Sequence, residues 1–203
     1  MSKVIATITT SVDGYIVGPD DHEGQGLGVG GERLHYWVMG GPWTYETDDR
    51  EPGVGMGDQD QAFFDDLTAG LGAGVCGRGM YESSGAWGGQ NPFDGPLYVV
   101  THRLEDQPEA STGFTFICGV VEAVAAAKEA AGGKGVAVSG GADVIRQALR
   151  ADLVDELAIS VAPVVLGAGK RLFDGFDQDL DLRIVKVYPS TYAVHTRYEI
   201  VRA

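Results

Sequence analysis

The sequence predicts an α/β fold: a mainly parallel sheet in a three-layer arrangement, with an antiparallel C-terminal edge. Three observations carry this. β-rich runs alternate with helical patterns up to about residue 150, the last quarter carries strand patterns alone, and that quarter contains a hairpin signal. At 203 residues the chain suits one α/β domain, and neither a repeat nor a dividing linker interrupts 1–203.

The first strand is VIATITT at 4–10. Residues 18–58 then form a Gly-rich, acidic stretch holding His35, Tyr36, Trp37, Trp43 and Tyr45, too long for an ordinary connection. Two readings of it stand: an aromatic wall over a pocket, or a surface excursion pinned by its aromatics. Asp58 is placed to cap a helix over 59–70, with Phe63, Phe64, Leu67 and Leu71 on one stripe. A strand at 73–76 runs into Gly77-Arg78-Gly79-Met80-Tyr81-Glu82, and the strand 97–100 ends at Thr101-His102-Arg103. An Ala-rich helix over 121–131 is stopped by Gly132-Gly133. The strand 135–138 leads into Ser139-Gly140-Gly141-Ala142-Asp143 and a short helix. Leu157, Ile159 and Val161 alternate along a strand ending at Pro163. Strands near 183–188 and 194–201 flank Pro189-Ser190-Thr191-Tyr192.

Composition narrows the function. Hydrophobic residues at 44% and charged residues at 22% describe a folded globular chain. A formal net charge of −14 argues against nucleic-acid and anionic-membrane partners, which clustered Lys and Arg would hold. An anionic ligand would need a local basic or N–H site within that field, which singles out the few arginines. Cys76 and Cys118 sit in apolar strand-like contexts and read as buried free thiols, in keeping with a cytoplasmic setting. The N-terminus lacks a signal pattern, and no apolar run reaches membrane-spanning length. The four histidines lack metal-ligand spacing, so no metal is expected.

Two literal G-x-G-x-x-G matches, at Gly26/Gly28/Gly31 and Gly72/Gly74/Gly77, lack the strand-before, helix-after context that the mechanism needs. Ser139-Gly140-Gly141 has that context, with N–H groups and a helix dipole converging beyond a strand; a tight turn is the competing reading. Gly77-Arg78 and Thr101-His102-Arg103 also stand at strand ends. In an open α/β sheet, three such sites cluster at one edge, where Arg78 and Arg103 would offer positive charge to an anionic cofactor.

These segments resemble a known family. Ser11-Val12-Asp13-Gly14-Tyr15-Ile16 looks like S-[LV]-D-G-[FY]-I, and Gly77 to Glu82 is similar to G-R-x-T-[YW]-E, with Met80 replacing the usual Thr. Ser139-Gly140-Gly141, Leu153-Val154-Asp155-Glu156-Leu157, Pro163, Leu166-Gly167-Ala168-Gly169 and Leu172-Phe173 match the C-terminal half. Together they resemble the dihydrofolate-reductase-like superfamily, closest to the reductase domain of riboflavin-biosynthesis deaminase-reductases. The resemblance implies eight strands, NADPH across the strand ends, and often a homodimer. It implies cofactor contacts from Ile16 in a mobile loop, Gly77, Arg78, Gly79 and Met80. It places Thr101, His102 and Arg103 at the 2′-phosphate, and Ser139, Gly140, Gly141, Ala142 and Asp143 at the pyrophosphate.

The expected activity is hydride transfer from NADPH to a C=N or C=O group of a small pterin- or ribosylaminopyrimidine-like heterocycle. Candidate proton donors are Asp60, His35 or water; Asp60 also reads as an acid that favours a helix dipole. Asp13, Trp37, Trp87 and Ser160 are candidate substrate contacts. The alternatives are a cofactor-binding homodimer without catalysis and a flavin- or other nucleotide-binding module.

Overall fold

The computed structural model describes residues 2–46 and 55–202. Its main sheet is made of β1 (Val4–Ser11), β3 (Leu71–Gly77), β4 (Leu97–Val100), β5 (Phe114–Ile117), β6 (Gly135–Val138), β7 (Glu156–Ala162), β9 (Asp181–Pro189) and β10 (Val194–Val201). The order across the sheet is β5-β4-β3-β6-β1-β7-β10-β9. The first six pair in parallel; β10 runs against both of its neighbours. A second, two-stranded sheet joins β2 (Tyr15–Val17) to β8 (Lys170–Arg171).

Helices α4 (Val120–Ala130) and α5 (Ala142–Arg150) cover one face. Ala123, Val124 and Ala127 of α4 and Ile145 and Ala148 of α5 pack there on Val4, Ala6, Val75, Val136, Val138 and Leu157. The opposite face carries α2 (Asp58–Thr68), preceded by the single turn α1 (Tyr36–Met39), and α3 (Arg78–Ser83). The strands alternate accordingly: Val4 and Ala6 point to the first layer, Ile5 to α2. Phe63 and Leu67 of α2 meet Ile5, Trp37, Ala158 and Tyr188, while Cys76, Val99, Phe114 and Phe116 form a separate cluster near α3.

Several local expectations change. Residue 58 lies inside α2, whose N-cap is Gly57, so Asp58 contributes charge to the first turn instead of capping it. Ile16 is not in an open loop: it lies in β2, is buried, and joins the main core. Cys118 is exposed, whereas Cys76 is buried and its thiol is pushed up to about 12 by burial; both are free. The Gly132-Gly133 stop holds, with φ of 58° and 94°. Strand β5 has no counterpart among the expected strands; Phe114 and Phe116 are its only buried side chains, too short a pattern to stand out. Among the described residues no helix is long and apolar enough to cross a membrane.

Candidate active site

The parallel strands end along one edge, and the loops after β3, β4 and β6 meet there. The Gly77 N–H donates to the Gly140 carbonyl at 2.7 Å, and the Ser139 N–H to Val75 at 3.0 Å, joining the ends of β3 and β6. The Gly140-Gly141 peptide is cis. Gly140 has φ of 110°, a conformation that favours glycine, and a Cβ there would lie 3.2 Å from Met80 Sδ. Nothing occupies the space where side chains at Gly79 and Gly141 would project. The first turn of α5 has no side-chain cap, which leaves its N–H donors for solvent or an anion. A dinucleotide pyrophosphate fits this corner. Asp143 is mostly exposed at the same helix start and accepts from Gln147 Nε2 at 2.6 Å.

The corner beyond β3 and β4 is different. Arg78 and Arg103 do come together, but their charge is already matched. Arg78 Nε donates to Glu82 at 2.9 Å and Nη2 to Asp106 at 2.6 Å, while the guanidinium lies 5.2 Å from the centre of the Phe116 ring. Arg103 donates to Glu82 and pairs with Asp106 at 3.5 Å. Two arginines and two carboxylates thus close a ring whose formal charge is zero. The local positive charge expected from these arginines is therefore absent while the ring stays closed. Thr101 Oγ1 accepts from the Arg103 N–H at 3.1 Å, and His102 Nδ1 lies 3.3 Å from Cys118 Sγ.

Across the sheet, Thr9, Ser160, His195 and Tyr188 occupy one rung of β1, β7, β10 and β9. Asp60, in the first turn of α2, is buried above them, and its Oδ1 is 2.8 Å from His195 Nε2. His195 Nδ1 is 2.7 Å from Ser160 Oγ. With Asp60 as a carboxylate, which only accepts, Nε2 carries the proton and the Ser160 hydroxyl donates to Nδ1. His195 is fully buried, stacked on Phe63 at 4.2 Å and met edge-on by Trp37 at 4.8 Å. Burial pulls its pKa below the ordinary histidine value, against the raising effect of Asp60. Asp60 and Ser160 are readable as candidates in the sequence; His195, 135 residues from Asp60, has no spacing signal to single it out.

A second, partly buried network runs along the same face. Arg197 bridges Glu156 and Asp66, each at 2.5 Å; Lys3 reaches Glu156, and the Tyr188 hydroxyl donates to Asp66 at 2.6 Å.

Other expected contacts have partners within the fold. The Asp13 carboxylate accepts from the Ser11 hydroxyl at 2.6 Å and from the N–H groups of Leu166 and Gly167 at 3.1 and 2.8 Å. These bonds, the Ser11 hydroxyl foremost, hold its pKa at about 2 and clamp the turn after β1 to the loop after β7. Trp37 is a buried wall whose Nε1 donates to Thr9 at 3.1 Å. The 18–58 segment is therefore pinned inward at Trp37; its part at 47–54 lies outside the described residues. Trp87 packs against Phe93 and Phe114, in the cluster at the β5 end and apart from Asp60. His35 is half-buried, and desolvation pulls its pKa down to about 4. It precedes Tyr36, which lines a cleft of about 280 Å³ together with Arg33, Pro163, Val164, Val165 and Tyr192.

Comparison with known proteins agrees with this architecture. The family model for the RibD C-terminal domain matches residues 2–196. The uncharacterized protein YwjB of Bacillus subtilis (strain 168) is 29% identical over 125 residues, covering 61% of this chain and 71% of that protein. A pyrimidine reductase-like protein of Corynebacterium diphtheriae superposes with a TM-score of 0.64 at 16% identity, over 100% of this chain and 93% of that one. Dihydrofolate reductase of Enterococcus faecalis, solved with NADP(H), gives 0.62 at 18% identity, over 98% and 97%. The two structures share the fold, with its mostly parallel eight-stranded sheet and antiparallel edge. The chain belongs to the RibD C-terminal domain family, with the dihydrofolate-reductase-like fold.

Proposed function

We propose that this chain is an NADPH-dependent reductase acting on a C=N or C=O group of a small pterin- or aminopyrimidine-like heterocycle. One observation carries the reading: the loops at Gly77-Arg78, Thr101-His102-Arg103 and Ser139-Gly140-Gly141 converge on one carboxyl edge, beside an uncapped helix start. Bound there, the reduced nicotinamide supplies a hydride. Ser139 to Asp143 would hold the pyrophosphate, Gly79 and Met80 would border it, and the two arginines would face the adenosine end.

The chain's own part is orientation, exclusion of water and management of one proton. Asp60 is the group assigned to hold that proton, and Ser160 braces the far side of the His195 ring that faces it. His195 is a positioning residue: it holds the Asp60 carboxyl group through Nε2 and Ser160 through Nδ1. Trp37 and Phe63 keep this unit dry, which strengthens its electrostatics. His35, next in sequence to a residue of the open cleft, is the second candidate, but desolvation keeps its ring neutral above about pH 4 and makes it a poor donor at neutral pH.

The relatives' shared family supports a small-molecule substrate and a cytoplasmic setting. A homodimer, also implied by the family, would use the edge strand β9, where Leu182, Ile184 and Val187 are exposed.

The test is NADPH oxidation in the presence of dihydropterin and aminopyrimidine probes, with Asp60→Asn alongside the native chain. Turnover by the native chain, slowed about 100-fold or more in the variant, is the expected result for a general acid. Cofactor binding without turnover on any probe would favour a non-catalytic protein of the same fold, and absence of NADPH binding would overturn the reading.

A further inference from the structure

We propose that Glu82 and Asp106 are specificity-determining residues, which hold Arg78 and Arg103 in a closed ring and compete with a phosphate monoester for both guanidinium groups. The proposal rests on the cofactor reading above and adds the terms on which a 2′-phosphate is admitted.

The ring stands at the carboxyl ends of β3 and β4, two and three strands along the edge from β1 and next to the Gly77–Gly140 junction. A dinucleotide held with its pyrophosphate at the start of α5 and its nicotinamide toward β1 would bring its adenosine to this corner. The four charged groups there are engaged with one another. Glu82 Oε1 accepts from both arginines, and Asp106 Oδ2 faces both. Arg78 is further fixed by its Nη1 on the Arg103 carbonyl at 3.4 Å and by the Phe116 ring. Its side chain is only 18% exposed, whereas that of Arg103 is 55% exposed and is the arm able to swing.

An incoming phosphate dianion meets two costs. It must take guanidinium donors from carboxylates that already hold them, and once Arg103 is drawn away it lies beside two negative charges that Arg78 alone still balances. Both costs fall on the 2′-phosphate alone, because an unphosphorylated ribose asks nothing of the ring. The preference for NADPH over NADH is accordingly small in the native chain, and Glu82 and Asp106 keep it small.

Titration of the full chain with NADPH and with NADH, followed by tryptophan fluorescence or calorimetry, tests this. Glu82→Gln keeps the side-chain shape and removes the charge. It is expected to tighten NADPH by about fivefold, the upper end for an exposed ion pair, and to leave NADH within about twofold. Asp106→Asn repeats the test from the other side of the ring should Glu82→Gln fold poorly. Arg103→Gln is expected to act in the opposite sense, weakening NADPH toward NADH. Parallel changes for the two cofactors, or no change, would overturn the competition. Failure of every form, the native chain included, to bind either cofactor would overturn the cofactor reading itself.

Discussion

The two ends of the carboxyl edge solve opposite problems with similar residues. Near β3 and β4, four charged side chains form a ring at the surface, balanced in charge and, apart from Arg78, open to water. Near β7 and β10, Asp60, His195 and Ser160 form a chain shut inside an aromatic box. Exposed pairs contribute little to stability and exchange partners readily; buried pairs are costly to break and hold one geometry. The comparison separates the groups that must yield to a ligand from those that must stay still.

Substitutions should divide along the same line. Phe63→Ala removes the ring stacked on His195 from a fully packed site and is expected to cost about 4 kcal/mol, measured by denaturant unfolding. Asp60→Ala leaves the His195 Nε2–H buried without its acceptor and should cost about 2 kcal/mol. At the other corner, Arg103→Gln should cost less than about 1 kcal/mol, because its guanidinium is mostly in water. A loss at Arg103 as large as that at Phe63 would erase the contrast.

Acidity sharpens it further. His35 and His195 both have folded-state pKa values below the usual 6.5, led in each case by desolvation. Between these values and 6.5 the unfolded chain binds more protons. Stability is therefore complete above about pH 6.5 and falls as pH drops toward 4, the value for His35. The His35 share is about 2 kcal/mol, less than its full shift implies, because the side chain is only half-buried. His35→Asn should flatten much of this slope in melts taken across the range. An unchanged slope would assign the pH dependence to other groups.

The sheet was legible where pattern and punctuation agreed. The LYVV run at 97–100, the Gly132-Gly133 stop and the strand–Ser139-Gly140-Gly141–helix junction all fell where local chemistry put them. β5 was not, since four residues with two buried phenylalanines give little periodicity. The site was legible in part. Arg78 and Arg103 stood at strand ends in the sequence, but their neutralisation by Glu82 and Asp106 depends on loops folding onto one another. Asp60 was readable as a candidate acid near the start of its helix, whereas its partner His195 appears only once β10 is placed beside β7. Asp13 illustrates the reverse: a motif residue with the look of a substrate contact is spent on two backbone amides of a neighbouring loop.

The central claim is that a reduced dinucleotide lies across the ends of β1, β6, β3 and β4. Hydrogen–deuterium exchange of the full chain with and without saturating NADPH tests it most directly. The expected result is new protection at 77–80, 101–103 and 139–143, with the buried rung at Ser160 and His195 already protected in both states. Protection confined to 18–46, or to the β9 edge, would contradict it.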